Sequence, residues 1–521
     1  MADQDQKREL SALLSSAAIV MLGGIVSSVA NLAERVVIGR LLSPSAYGEV
    51  SIGIALLTFT LMIALAGCEQ GVSRFIPRYD DVEDQRGVWV SGLVVTVLLS
   101  VLIGAALFVS AEPIAAQFFE TNAAVLLVQC IAISLPFIVG FRIAVAAIRG
   151  YENTVYKTII QSFLDPFLRT AIIALLLLAG VGIVAVGIAY LAAAIITFVV
   201  AHLLLSRLMT LRGRYRTHIR ELVTFSAPLV ISTVIGVMLA RTDTLMLGYF
   251  RSSYEVGMYD AAYPIATGLT IVLSAFGFLY LPIASRLDAD GARDAVDDIY
   301  ATSTKWVYVL TFPVFLLLVI FPHDIMALVF GPSYADAATV LPILAIGFFL
   351  SATAGRDRET LSAVGATTWI AVGNGVGVTL NVLINLVLIP QYGFMGAGVA
   401  SAISLTAVHG VICGILAIRY DITPLSHEAI RCYVFLPLVL LPIAFVLEPW
   451  FSISLLTLGP VLVLVGLLSL LVVGLVGGLE PDDVVVVDVL EEKTGISLDI
   501  LRQWIPVSET AGETSESLPT D

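Results

Sequence analysis

Asp165 and Arg169 stand four residues apart in an apolar stretch, with Pro166 between them. At that spacing two side chains share one helical face, and the proline weakens the helix that carries them. A charge at the centre of a bilayer costs roughly 3 kcal/mol or more, so it turns toward a bundle interior or a wet cavity. At a rise of about 1.5 Å per residue from Val155, the pair lies about 15 and 21 Å deep. A self-paired structural ion bridge and a functional site explain it equally well. Arg142 and the run Arg356-Asp357-Arg358-Glu359 sit toward the ends of two other apolar stretches. Snorkelling to the interface explains arginines at such places. Two guanidiniums facing each other across a cleft would instead bind phosphate through forked, charge-assisted bonds. Glu34, Arg35, Arg241 and Asp243 form a third set, suited to gate-like pairing or to ion coupling, with interface exposure as the plain explanation.

The elements that carry these residues follow from composition. Of 521 residues, 58% are hydrophobic and only 13% charged, about half the charged share of a soluble domain. Most of the surface must therefore meet something other than water, which argues against a soluble enzyme, a nucleic-acid binder or a disordered scaffold. Fourteen apolar runs are long enough to cross a bilayer, starting near residues 13, 47, 88, 123, 155, 183, 222, 258, 306, 338, 369, 394, 430 and 453. Each is about 20 residues long, and backbone groups in hydrocarbon must bond internally, so the runs are expected to be helices. With the N-terminus inside, the inner segments hold nineteen basic residues and the outer ones three. That bias places both termini in the cytoplasm and the chain in the cytoplasmic membrane.

The net charge of -14 is concentrated at the end: eleven acids oppose Lys493 and Arg502 over residues 480–521. Lysine is scarce, four against 23 arginines, and this acid-rich, lysine-poor composition resembles that of haloarchaeal proteins. The C-terminal segment is expected to form a surface helix over 484–504, then a disordered acidic tail. Cys68, Cys130, Cys413 and Cys432 lack metal-ligand spacing and read as packing residues. No phosphate-loop motif, zinc motif or cofactor signature is present, and Asp288-Ala-Asp290 matches a metal–nucleotide pair at two positions only. No metal and no cofactor are expected.

The chain repeats itself. Glu34-Arg-Val-Val-Ile-Gly39 and Tyr47-Gly48 run parallel to Asp243-Thr-Leu-Met-Leu-Gly248 and Val256-Gly257 at an offset of 209. Arg142 matches Arg356 at 214, Asp165 and Arg169 match Asn381 and Asn385 at 216, and Gly187 and Ala189 match Gly398 and Ala400 at 211. Six crossings separate the copies, so both point the same way, as a parallel repeat about an axis along the membrane normal. The expected fold is an all-α polytopic membrane protein of about 14 transmembrane helices. Its parts are an N-terminal lobe over 1–215 (spans one to six), a C-terminal lobe over 216–420 (spans seven to twelve), spans thirteen and fourteen over 421–478, and an acidic cytoplasmic tail over 479–521. The two six-helix lobes would enclose a central cleft.

Several motifs carry a family resemblance. Gly39-Arg-Leu-Leu-Ser-Pro-Ser-Ala-Tyr-Gly48, Gly71-Val-Ser-Arg-Phe-Ile-Pro-Arg-Tyr79, the segment 329–345 and Asn381-Val-Leu-Ile-Asn385 through Ser401 are similar, in that order, to the oligosaccharide flippases. These form the Wzx-like polysaccharide-transport branch of the multidrug/oligosaccharidyl-lipid/polysaccharide exporter superfamily. The resemblance implies two lobes, alternating access, and a cationic cavity for a lipid-linked oligosaccharide on polyprenyl or dolichyl phosphate. It makes Arg142, Arg169, Arg241 and Arg356 the substrate-binding candidates. Glu34, Asp165 and Asp243 are the candidates for coupling to Na+ or H+. The partners expected are the lipid-linked glycan and membrane lipid, not nucleic acid, and the role is transport rather than catalysis. An ion-coupled multidrug or metabolite exporter of the same superfamily is the alternative. A membrane-embedded glycan polymerase or ligase would need a sizeable outer loop, and none is visible.

Overall fold

The computed structural model of the protein describes residues 2–480, 483–484 and 504–505. All regular structure among them is helical. Eleven helices are long and apolar enough to cross a membrane, and two further helix pairs qualify when each is taken as one bent span: Ile219–Val230 with Thr233–Phe250, and Pro332–Thr339 with Leu341–Ala363. One of the eleven, Thr368–Tyr420, is 53 residues long, about 80 Å at helical rise and far more than a bilayer's core of about 30 Å. It breaks at Gly393, whose φ of 57° and ψ of -135° lie outside the helical region. Each of the fourteen expected spans thus coincides with a described helix, a bent pair or one half of this broken helix, and they are numbered one to fourteen accordingly. The surface helix expected over 484–504 and the tail beyond it lie outside the described residues, apart from 484, 504 and 505.

The chain divides into two compact units. The first takes in the residues up to Pro264 with Val329–Val340 and Asn374–Ser404; the second holds Ile265–Leu328, Leu341–Gly373 and the described residues from Leu405 onward. In the first unit, span two (Pro44–Leu65) meets span eight (Ser253–Ser274) at glycines. A Cβ on Gly48 would stand 1.8 Å from the Ser253 carbonyl oxygen, and one on Gly257 would stand 2.1 Å from that of Pro44. Gly48 and Gly257 are partners in the 209-residue repeat, so two copies of one sequence position make one contact against each other. Only a residue without Cβ lets the backbones approach this closely.

In the second unit, residues beyond span fourteen are fastened by charge. Lys305 is only 1% exposed, with Nζ 2.7 Å from Asp483 and 3.1 Å from Glu480. Trp306 donates to Asp483 at 2.6 Å and Ser426 to Glu480 at 2.8 Å. Burial pushes the Glu480 carboxyl up, yet Lys305 and these hydrogen bonds hold it below the ordinary glutamate value. Removing one partner of a buried ion pair costs about 3–5 kcal/mol, because the other charge stays buried. Lys305→Met is therefore expected to lower the thermal midpoint in detergent sharply, and Lys305→Met with Asp483→Asn to recover much of the loss.

Candidate functional site

Span five is irregular where its charges lie. An α-helical turn at Thr154–Thr158 widens into a π-helix at Ile159–Leu164, and α-helix resumes at Asp165–Leu178. Pro166 sits in the first turn of the resumed helix. A proline there has no N–H to give and crowds the preceding turn, and the wide turn absorbs that conflict. Such π turns recur at functional sites.

Beside this turn is a cavity of about 430 Å³, within the first unit. Arg142, Lys157 and Arg169 bring three cations to its wall and Asp165 one carboxylate, among the amides and hydroxyls of Asn31, Gln161, Ser27 and Ser162. The three cations are not equivalent. Arg169 is 13% exposed, and its Nε is 2.6 Å from Glu34, its Nη1 3.0 Å from Asp165 and its Nη2 3.0 Å from the Asn31 amide oxygen. Its guanidinium also lies 4.6 Å from the ring centre of Tyr190, whose hydroxyl donates to Glu34 at 3.0 Å. Arg142 has one looser carboxylate, Glu69 at 3.5 Å, and its side chain is 29% exposed. Lys157 has no carboxylate within ion-pair distance among the described residues. An anion entering the cavity thus meets Arg142 and Lys157 as available cations, and Arg169 as one already held.

Asp243 has different company. It is 2% exposed and accepts from Asn381 at 2.9 Å, Asn385 at 2.5 Å, Tyr259 at 2.6 Å and Ser401. No Lys, Arg or His among the described residues pairs with it. The amide oxygen of Asn385 is buried with no hydrogen-bond partner, and that of Asn381 accepts from Asn385 at 3.1 Å. Oxygen atoms on a buried carboxylate without a counter-ion are the surroundings that a small hard cation or a proton favours.

The two acids are copies of one site. Glu34 is met by Arg169 and Tyr190, and Asp243 by Asn385 and Ser401. The second set follows the first at offsets of 209, 216 and 211, the same offsets seen in the surrounding repeat. Three helices therefore meet at one polar node in each copy, with a guanidinium present in the first and a neutral amide in its place in the second.

The remaining candidates fall elsewhere. Arg35 rather than Arg241 makes the short ion pair nearby, 3.0 Å from Asp260, and Arg241 acts on the same carboxylate electrostatically. Arg356 belongs to the second unit, 6% exposed, with Nη1 2.7 Å from Glu359 and with Nε and Nη2 lacking hydrogen-bond partners. Asp260, Lys157, Tyr190, Tyr259 and Ser401 were not singled out from sequence. A lone acid in an apolar span was signal enough for Asp260, and the offset of 211 links Tyr190 with Ser401. All four cysteines are free, Cys68 and Cys432 buried and the other two half-buried.

The fold is that of a multi-pass membrane protein, all-helical among the described residues, with charges buried between its spans. The chain belongs to the polysaccharide biosynthesis protein family, whose model matches residues 13–288, and a MatE model matches residues 228–387. It is 29% identical over 197 residues to a probable low-salt glycan biosynthesis flippase of Haloferax volcanii, covering 37% of this chain and 41% of that one. A succinoglycan biosynthesis transport protein of Rhizobium meliloti is 24% identical over 323 residues, 60% of this chain and 61% of that one. The chain thus matches about two-fifths of the length of the first of these relatives. Among solved structures it is similar to the lipid II flippase MurJ in an inward closed conformation, with a TM-score of 0.70 at 12% identity over 87% of this chain and 97% of that one. It is also similar to an inward-facing multidrug resistance transporter of the MATE family, with a TM-score of 0.61 at 16% identity over 74% and 92% of the two chains.

Proposed function

We propose that this protein is a flippase that moves an oligosaccharide linked to polyprenyl or dolichyl phosphate across the cytoplasmic membrane, for surface polysaccharide or glycoprotein assembly. The observation that carries this reading is the polar cavity at Arg142 and Lys157 in a chain of the polysaccharide biosynthesis family. Each glycan hydroxyl costs several kcal/mol to bury unpaired in hydrocarbon, and a phosphate costs far more. Amides and hydroxyls can replace water around the sugars, while the forked guanidinium of Arg142 suits a phosphate. The lipid tail can stay in the bilayer throughout. The duplicated polar nodes support two like-oriented lobes that rock to expose the cargo to each side in turn. The protein is then a carrier and not an enzyme, with both termini cytoplasmic as the basic loops suggest.

The Asp243 node is the coupling site in this reading. Where the first copy holds a guanidinium beside Glu34, the second would take Na+ or a proton beside Asp243, so the ion gradient drives the cycle. Arg142→Ala combined with Lys157→Ala is expected to stop delivery of the glycan to the outer surface, with lipid-linked precursor collecting on the inner leaflet and the folded protein still present in the membrane. Normal surface glycosylation by that variant would reject the assignment. An ion-coupled multidrug or metabolite exporter is the second reading, favoured by the MatE match, which takes in Asp243, Asn381 and Asn385. Gradient-dependent efflux of small cations without any glycan defect on deletion would select it.

A further inference from the structure

A second cavity, of about 610 Å³, lies apart from the polar nodes, between the short helix at Cys68–Phe75 with its continuation Ile76–Arg78 and the start of span seven. Gly67 and Gly71 bring these elements together; a Cβ on Gly71 would stand 2.5 Å from Leu222. Phe75 and Phe225 meet edge to face at 5.5 Å and form the apolar wall. Arg78 and Arg220 line the same cavity with the hydroxyls of Thr217 and Thr224. Arg74 lies 4.3 Å from the ring centre of Phe225, and Arg78 lies 5.5 Å from that of Phe75.

The one carboxylate lining the cavity among the described residues, Glu221, is already engaged. Glu221 accepts from the Tyr79 hydroxyl at 2.7 Å and lies 3.6 Å from His218. That bond to Glu221 pushes the Tyr79 hydroxyl up to about 12, which keeps it a donor. His218 is held on its other side by Asp84 at 3.1 Å, and Arg216 by Asp84 at 2.8 Å. Arg78 and Arg220 have no carboxylate partner among the described residues. Two guanidiniums without a carboxylate partner and two hydroxyls therefore stand beside an edge-to-face pair of phenyl rings, next to the most basic connection in the chain, residues 207–220.

We infer that this cavity binds the phosphate head group of an anionic membrane phospholipid, with the upper part of the lipid chains against Phe75 and Phe225. A guanidinium pair satisfies a phosphodiester through charge-assisted bonds. The phenyl rings suit the adjoining apolar segment, which free phosphate lacks. Basic residues at the membrane surface attract anionic lipid electrostatically, and that attraction screens out within a Debye length. The site is separate from the proposed cargo cavity and does not depend on the flippase reading.

The test uses the full chain purified in detergent with mixed phosphatidylglycerol and phosphatidylcholine, and reads the lipids retained by native mass spectrometry. Wild-type protein should retain phosphatidylglycerol preferentially. Arg78→Gln with Arg220→Gln should lower that preference by about tenfold or more, since both guanidiniums lose their charge-assisted bonds to the phosphate. Arg207→Gln with Arg212→Gln removes the same charge from the same loop region outside the cavity and should leave the preference intact. Equal losses in the two variants would show a diffuse charge effect and overturn the proposal. So would inorganic phosphate binding alone and displacing the lipid at millimolar concentration. If the double variant proves unstable, Arg220→Gln alone should lower the preference in part, and an unchanged preference would overturn the proposal as well.

Discussion

Arg169→Leu is expected to destabilise the protein by about 3–5 kcal/mol, the cost of leaving a buried carboxylate without its cation. Glu34 is only 3% exposed, and its nearest cation is the Arg169 Nε at 2.6 Å. Once the arginine is gone, Tyr190 still donates to Glu34 at 3.0 Å, but one hydroxyl does not replace an ion pair. Asp165 would lose its pair as well, although its side chain is 18% exposed and faces the cavity. The charged cross-link from span five to span one, beside the π turn at Ile159–Leu164, would then be gone. The check is the thermal midpoint in detergent together with membrane abundance. Glu34→Gln with Arg169→Leu should recover most of the loss, because uncharged groups of similar volume are far cheaper to bury than an orphaned charge. If Arg169→Leu melts within a degree or two of wild type, the pair is not structural, and Arg169 becomes free to act on cargo as Arg142 is proposed to do.

Hydropathy alone placed the spans, because a run of about 20 apolar residues has few alternatives in a bilayer. It fixed depth but not azimuth. Thus Asp165 and Arg169 were correctly placed together on one helical face, while the third member, Glu34 in span one, depended on how helices far apart in sequence pack. The same gap explains Arg35 and Arg241. Both looked equally suited to pair with an acid, and only helix rotation decides that Arg35 makes the 3.0 Å contact with Asp260. The repeat carried more information than hydropathy. An offset read from glycines and alanines also relates Tyr190 to Ser401, and each donates to the acid of its own copy. Gly48 and Gly257 match at the offset of 209, but that they meet at a helix crossing is visible only in the packing. The long helix Thr368–Tyr420 shows the reverse case: its two spans were separable in sequence, while its backbone stays helical except at Gly393. The π turn before Pro166 had no signal beyond the proline itself, since a widened turn and a simple kink relieve the same clash.

The divergence between the two nodes leads to the other large effect, which falls on coupling rather than on stability. Asp243→Asn should leave the protein folded, since Asn381, Asn385, Tyr259 and Ser401 surround that carboxylate with neutral groups and no cation is orphaned by the change. It should nevertheless reduce gradient-driven transport by about a hundredfold, because a neutral amide no longer gives a buried cation a compensating charge. Two measurements separate the candidate ions. If Na+ binds, it should raise the thermal midpoint of wild-type protein as any native-state ligand does, with Li+ weaker, K+ without effect, and no response in Asp243→Asn. If a proton is the coupling ion, the midpoint should ignore Na+, and acidification should replace it in driving transport through wild-type protein only. The internal control is Glu34→Gln combined with Arg169→Leu, which makes the first node neutral. Coupling should survive there, because the resident guanidinium, and not a mobile ion, balances Glu34. Full gradient-driven activity in Asp243→Asn would remove this node from the mechanism and return ion coupling to Asp165, the carboxylate that lines the proposed cargo cavity.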